Sequence, residues 1–149
     1  MDRARIHACA LALCAALAPL AAAAADAAGG SVRVVKAYAR AMPPGATTAG
    51  AYMTIENRGP ADRLVGASSP KAQAVEMHTM ENNRGVMRMQ AVWRIDISPR
   101  GNTVLVPGGR HLMIVNPTPP LQAGERFPVR LMFEKAGPVD VELEVQPFK

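Results

Sequence analysis

Residues 76–113 read EMHTMENNRGVMRMQAVWRIDISPRGNTVLVPGGRHLM and carry the clearest structural pattern in the chain. Short segments rich in apolar and β-branched residues are separated here by turn sequences, PRGN at 99–102 and PGGR at 107–110. Such segments, punctuated by glycine and proline, are typical of β-strands joined by tight loops. This stretch therefore predicts a series of short strands and no helix.

The same pattern continues on both sides of this stretch. Further turn sequences are MPPG at 42–45, QAGE at 122–125 and KAGP at 135–138, and no long helical periodicity competes with them. Their even spacing predicts a single all-β domain, either a sandwich or a barrel. The predicted strands are 31–40, 49–57, 63–69, 73–80, 85–91, 94–98, 102–106, 111–116, 127–134 and 139–146.

The first 28 residues have a different character, because Arg3 and Arg5 are followed by an apolar run and then by an alanine tract. A charged start, a short apolar middle and small residues at the end are typical of a secretory signal peptide. We predict cleavage near residues 25–28 and a mature domain of residues 29–149. A lipoprotein signal at Cys14 is disfavoured, because Leu13 precedes it where a small residue is expected. The mature domain is therefore expected in the periplasm, without a stable membrane span.

Both cysteines, Cys9 and Cys14, lie inside the predicted signal peptide. An exported domain without cysteine cannot be stabilised by disulfides, so its stability must come from a hydrophobic core. Roughly 120 residues are enough for one such core and too few for two.

The formal net charge is +5, and the arginines that carry it are scattered between Arg33 and Arg130. No basic run and no set of interleaved aromatic residues accompanies them, so binding to nucleic acid is not expected. The arginines are better explained as a solvated surface that keeps the domain soluble, and some of them can steer an acidic partner.

Two histidines, His78 and His111, remain after the signal peptide is removed, and methionines are dense around them. Imidazole nitrogen and thioether sulfur suit a soft, late transition ion, whereas calcium or magnesium would require clustered oxygen ligands. A structural zinc site usually needs four Cys or His ligands, and a blue-copper site needs a cysteine thiolate. Cu(I) is therefore the best match. The nearby methionines are Met77, Met80, Met87 and Met89.

Strand periodicity brings these donors into pairs. In the predicted strand that begins at His111, residues i and i+2 face the same side, so His111 and Met113 can converge while Leu112 turns into the core. The same spacing recurs in two other predicted strands, at His78 with Met80 and at Met87 with Met89. A site assembled from several strands by folding would use such pairs.

The spacing of four of these residues resembles a known family. His78, ten residues, Met89, twenty-one residues, His111, one residue and Met113 are similar to the H-x10-M-x21-H-x-M signature of the PCuAC family of periplasmic copper chaperones. The resemblance covers nearly the whole mature chain. It includes AYARAMPPG at 37–45, AGAYMTIEN at 49–57, ADRLVGASSP at 61–70, VPGGRHLM at 106–113, PLQAGE at 120–125 and LMFEKAGPVDVELEV at 131–145.

This resemblance implies a cupredoxin-like Greek-key β-sandwich that binds one Cu(I) per domain through His78, Met89, His111 and Met113. It also implies a monomeric chaperone that delivers copper toward the CuA centre of cytochrome c oxidase, with the apo CuA domain and a Sco-type copper protein as partners. Tyr38 stands where a tryptophan is frequent in the family. Some relatives also carry a His/Met-rich C-terminal tail, and we expect its additional copper-binding capacity to be absent here, because the sequence ends with Phe148 and Lys149.

Neighbouring residues receive other roles. We expect Met77 to pack in the core and Met80 and Met87 to support the site or bind metal transiently. Trp93 is expected in the core. Either Glu76 or Glu81 is a candidate to orient an imidazole.

The sequence does not predict an enzyme, because it has no nucleophile elbow, phosphate loop or Cys–His pair, and four protein ligands leave no open position for substrate. Two alternatives to copper delivery remain open. One is a periplasmic copper sequestration or resistance protein with the same site. The other is an exported β-sandwich for scaffolding or adhesion, in which the His/Met cluster is incidental.

Overall fold

The structure, a computed structural model, describes residues 27–149, which contain strands and turns and no helix. No helix in this part of the chain has the length and apolarity needed to cross a membrane. The strands are β1 (Ala27–Gly29), β2 (Val32–Arg40), β3 (Thr48–Asn57), β4 (Asp62–Ser68), β5 (Ala72–Asn83), β6 (Val86–Ala91), β7 (Ile95–Ile97), β8 (Gly101–Leu105), β9 (His111–Pro117), β10 (Arg126–Phe133) and β11 (Gly137–Gln146).

Seven of these strands close into a barrel in the order β2, β11, β10, β4, β5, β9, β3 and back to β2. The β11–β2 pair is parallel, and the other pairs of the ring are antiparallel. Strands β1, β6, β7 and β8 extend this ring, and each pairs with one neighbour. The predicted all-β, cupredoxin-like fold is confirmed.

The barrel encloses the apolar core. This core forms because side chains along each strand alternate between the inside and the outside of the barrel. In β11, four buried apolar residues alternate with exposed carboxylates such as Asp140 and Glu142. Each large apolar side chain buried in this way contributes about 1.5–3 kcal/mol to folding. The largest fully buried side chains are Met53, Ile55, Leu64, Ile97, Leu105, Leu112, Ile114, Leu121, Leu131, Leu143, Val32 and Val34.

The ten predicted strands are all present, with ends shifted by a few residues. The largest difference is in β5, which continues to Asn83 because it forms a hairpin with β6. The two turn residues, Arg84 and Gly85, both have positive φ angles of 53° and 85°, as a two-residue turn of type I′ requires. Asn82 Oδ1 accepts a hydrogen bond of 2.8 Å from Gly85 N and holds this turn.

The predicted signal peptide lies outside the described residues except for its last two, Ala27 and Ala28. Residues Ala27–Gly29 form β1, which was not predicted and which pairs with the start of β2. Its sequence gives no strand signal, because alanine and glycine are depleted in strands.

A buried carboxylate, Asp62, connects β4 to the turn between β10 and β11. Its oxygens accept hydrogen bonds from the backbone N–H groups of Lys135 (2.8 Å), Arg63 (2.8 Å) and Ala136 (2.9 Å). Burial alone would raise the pKa of Asp62, but these three donors outweigh it and lower the pKa below its ordinary value.

We predict that Asp62→Asn costs about 1–3 kcal/mol of stability at neutral pH, because a buried donor loses its acceptor. Since the folded pKa is lowered, the ionised carboxylate stabilises the native state above its unfolded pKa of about 3.9. That contribution disappears as the pH falls through the folded pKa. Urea denaturation should therefore show a smaller difference in the free energy of unfolding between wild type and variant at pH 3 than at pH 7.

The matched control is Asp140→Asn, which removes an exposed carboxylate bonded to Arg130. Its effect should be smaller, because exposed ion pairs contribute little. If Asp62→Asn lowered the free energy of unfolding by the same amount at both pH values, this explanation would be contradicted.

Candidate metal centre

The predicted donor pairs lie on three adjacent strands, in the order β6, β5 and β9. His78 on β5 is directly opposite His111 on β9, and Met80 on β5 is directly opposite Met89 on β6. Residues that face each other in an antiparallel pair project to the same side of the sheet. The fold therefore collects these side chains on the outer face of the barrel wall, while Leu112 points into the core.

His111 presents a free lone pair toward a thioether. Its Nδ1 lies 3.0 Å from the carbonyl oxygen of Gly109, which only accepts hydrogen bonds, so Nδ1 carries the proton. In the neutral ring, Nε2 is then unprotonated, and it lies 3.3 Å from Met89 Sδ. For a tetrahedral d¹⁰ ion with bonds of about 2.0 Å to nitrogen and 2.3 Å to sulfur, the two donor atoms would be about 3.5 Å apart. This spacing fits two ligands of one ion.

His78 presents the other ring nitrogen. Its Nε2 lies 2.8 Å from Glu76 Oε2 and donates a hydrogen bond to this carboxylate. Its Nδ1 is buried and has no hydrogen-bond partner among the described residues. A buried polar atom without a partner costs about 1–3 kcal/mol, and a bound cation would remove that cost.

The two rings lie close together, with centroids 5.7 Å apart, and both histidines are buried, at 8% and 7% exposure. Met113 lies two residues beyond His111 on the same face of β9 and is directly opposite Glu76. The structure thus places all four predicted ligands on one face of three strands, and that they bind metal stays a prediction. Within residues 27–149, no three His, Cys, Asp or Glu side chains come together. A metal here would need the thioethers.

Comparison with known proteins shows the family. The family model described as "Putative lipoprotein LpqE-like" matches residues 32–145. The chain belongs to this family. One relative is the "Putative lipoprotein Lxx21020" of Leifsonia xyli subsp. xyli, which is 32% identical over 119 residues, 78% of this chain and 70% of that protein.

Solved structures connect this LpqE-like chain to PCuAC domains. The copper-bound PCuAC domain from PmoF2 is 26% identical with a TM-score of 0.72, over 83% of this chain and 99% of that domain. The solution structure of CuI-DR1885 from Deinococcus radiodurans is 30% identical with a TM-score of 0.61, over 74% of each chain. The resemblance to the PCuAC family that the motif spacing predicted is confirmed.

A row of aromatic rings borders the histidines in this LpqE-like protein, and sequence spacing alone did not predict it. The Tyr52 ring lies 6.3 Å from the His111 ring and 5.3 Å from the Tyr38 ring, measured between centroids. Arg40 lies over Tyr38, 5.4 Å from its centroid. Burial raises the pKa of Tyr52 and nearby Tyr38 adds to the rise, while the Arg40 charge opposes it. Tyr52 therefore stays neutral and forms one wall beside His111.

Two of the neighbouring residues behave as predicted, and one does not. Met77 is buried at 8% exposure, which confirms its packing role, and Glu76 contacts an imidazole as expected. The prediction of Trp93 in the core is wrong, because its exposure is 94%. A hydrogen bond of 2.9 Å from Val92 N to Met77 O keeps the chain along the edge of β5, and Trp93 projects outward from that edge.

The other candidates near the site differ in accessibility. Met80 is partly buried, and Met87 is 50% exposed near the tip of the β5–β6 hairpin. Glu81 is directly opposite Arg88. Because side chains alternate along β5, Glu81 projects to the other side of the hairpin from His78. Of the two candidate carboxylates, only Glu76 is therefore placed to hold a histidine.

Gly50 allows Tyr52 to lie where it does, and we predict that Gly50→Ala destabilises the protein by about 1–3 kcal/mol. A Cβ at Gly50 would lie only 2.9 Å from Tyr52 Cζ, so the Tyr52 ring, which neighbours His111, would have to move. Urea denaturation should show the loss, and the NMR signals of the His111 ring should shift, because the neighbouring aromatic ring has moved.

Gly66→Ala is the matched control in another strand, β4. A Cβ there meets Met132 Cβ at 3.7 Å, an ordinary contact, so this variant should be neutral or more stable by up to about 1 kcal/mol. Equal stabilities for the two variants would contradict the steric role of Gly50.

Proposed function

We propose that this LpqE-like protein is an exported metallochaperone that binds one Cu(I) ion through His78, Met89, His111 and Met113. The observation that carries the proposal is the pair of free imidazole lone pairs. His111 Nε2 faces the Met89 sulfur at 3.3 Å, and His78 Nδ1 is buried and has no hydrogen-bond partner in the part of the chain that the structure describes. Hydrogen bonds to the opposite nitrogens of the two rings leave these atoms free.

The donor chemistry supports a monovalent copper ion. Two thioethers prefer the soft Cu(I) state over Cu(II). Methionine also needs no deprotonation, and it avoids the disulfide formation that limits cysteine as a copper carrier in an oxidising compartment. Protons compete with the metal only at the histidines, so acid should weaken binding through them.

A set of four protein donors also suits carriage better than catalysis. Catalytic metal sites keep an open coordination position for water or substrate, and this set would fill all four. We therefore propose a binding protein and no enzymatic activity. Met89 is 49% exposed on the edge strand β6, so one ligand lies where an incoming protein can compete for it.

The names of the structural relatives support copper as the cargo, since one is a copper-bound PCuAC domain and another is CuI-DR1885. The family description as a lipoprotein supports export, and we propose the periplasm as the compartment. The recipient that we propose is the apo CuA domain of cytochrome c oxidase, with a Sco-type protein as a second partner. Copper sequestration would use the same site without this transfer.

The first experiment is a titration of the mature domain with Cu(I) against a chromogenic chelator. The wild-type protein should retain one equivalent of Cu(I) per chain in competition with the chelator. Because outer contacts to metal ligands are worth about 10–100-fold in affinity, removing a ligand outright in His78→Ala or Met113→Ala should weaken binding by about a hundredfold or more.

Met132→Ala is the control for the methionine variant, because Met132 is a partly exposed methionine on β10, away from the three strands of the site. It should bind copper as wild type does. If wild type and the two ligand variants compete equally poorly, the cluster is incidental and a scaffold or adhesion role replaces the chaperone. Transfer of the bound copper to an apo CuA domain distinguishes delivery from sequestration.

Glu76 should set the affinity without binding the metal. We predict that Glu76→Ala weakens Cu(I) binding by about 10–100-fold, because it frees the His78 ring from the carboxylate that holds its Nε2–H. Glu81→Ala in the same strand should have no such effect, and the same competition titration measures both. Similar Cu(I) affinities for the two variants would show that Glu76 does not set the copper affinity.

A further inference from the structure

An exposed apolar surface lies beside the candidate metal centre, and the proposed copper binding does not explain it. It consists of Met87, Met89, Trp93 and Val65, which are 50%, 49%, 94% and 45% exposed, and we call it the outer ridge. Trp93 and Val65 line an open groove of about 390 Å³ together with Glu76. Because Glu76 holds His78, the groove adjoins the site.

The fold itself does not require the outer ridge to be apolar. Among the strands of residues 27–149, β6 pairs only with β5, and all six of its residues are exposed. Trp93 is the only tryptophan of the chain, and 94% of it faces solvent. Exposed apolar residues that form a contiguous patch, rather than being scattered singly, mark interaction sites.

The charge around the outer ridge has one predominant sign. Residues 81–110 contain five arginines and two carboxylates, Glu81 and Asp96. Arg84 at the hairpin tip and Arg110 beside His111 are exposed, and neither makes an ion pair with a described residue. Arg94 lies 3.8 Å from Asp96, in an exposed pair. Positive charge is thus available for an acidic partner.

We propose that the outer ridge, with Arg84 and Arg110 on its rim, is the docking surface for the protein that receives the copper. The matching surface of that partner is acidic around an apolar centre that covers Trp93. This proposal rests on the proposed function. A large aromatic residue next to arginine is typical of the residues that dominate binding energy at interfaces, and unpaired surface charges accelerate the encounter of complementary proteins.

An anionic membrane would attract the same residue types, but the location of the outer ridge favours a protein. The ridge lies beside Met89 and His78, where ligand exchange with a recipient requires close approach. The groove between Trp93 and Val65 is concave, and it can accept a side chain of a partner.

The test is the initial rate of copper transfer from the loaded full-length mature protein to an apo CuA domain. Trp93→Ala and Arg84→Glu should each slow this transfer by about tenfold or more, while their Cu(I) affinities stay at the wild-type value. Raising the ionic strength from about 0.01 to 0.15 M should slow wild type and have less effect on Arg84→Glu. In wild type, Trp93 emission should shift to the blue when the acceptor is added.

Two controls match these variants. Val104→Ala removes an exposed apolar residue from β8, and Lys71→Glu reverses a charge just before β5, seven residues from His78 and so about 20 Å away along the strand. Both should transfer copper at the wild-type rate. Unchanged transfer in Trp93→Ala, or equal slowing in the controls, would overturn the docking surface.

The outcomes also separate this proposal from the one on which it rests. A wild type that fails to bind Cu(I) overturns the proposed function. A wild type that binds Cu(I) and transfers it to the acceptor, while Trp93→Ala and Arg84→Glu transfer it at the same rate and Trp93 emission does not shift, overturns the docking surface alone. A wild type that binds Cu(I) but does not transfer it overturns the proposed delivery as well. A blue shift seen only with vesicles of anionic phospholipid would assign the outer ridge to a membrane and would likewise overturn it.

Discussion

The pairing of β5 with β9 is the constraint on which the rest of the candidate site depends. In this register His78 lies opposite His111 and Glu76 lies opposite Met113. A slip of one residue would send every side chain of β5 to the other face of the sheet, so His78 would enter the core and Met77 would enter solvent. Burial of Met77, Leu112 and Ile114 therefore fixes the register and, with it, the separation of the two rings.

Three different anchors complete this arrangement. The backbone carbonyl of Gly109 holds His111, the carboxylate of Glu76 holds His78, and the tight turn at Arg84 and Gly85 returns β6 so that Met89 reaches His111. The anchors are local in sequence, because each lies within a few residues of the side chain or strand that it positions. The convergence itself is not local, since it requires three strands that only the barrel brings together.

Much of the fold was predictable from the sequence, because alternation of apolar residues and Gly/Pro turns both act over short distances. The ten main strands follow from these signals. Closure of the ring by β2 and β11 depends on partners distant in sequence and could not be predicted in this way. Strand β1 pairs with the neighbouring β2, but its alanines carry no strand signal. The site divides similarly. The spacing of His78, Met89, His111 and Met113 could be recognised in the sequence. The position of Tyr52 beside His111 could not, because it depends on the ring lying over Gly50. Trp93 was misplaced because an aromatic residue near apolar neighbours looks the same in sequence whether it faces the core or solvent.

Closure of the barrel through the parallel β2–β11 pair has a further consequence for how the protein folds. Tyr38, near the start of the described chain, pairs with Glu144, near its end. Non-local pairings of this kind stabilise the fold only after the entropy of loop closure has been lost, so proteins dominated by them fold slowly. The barrel, and with it the arrangement of His78, Met89 and His111 on its wall, is therefore complete only once β11 is available to pair with β2.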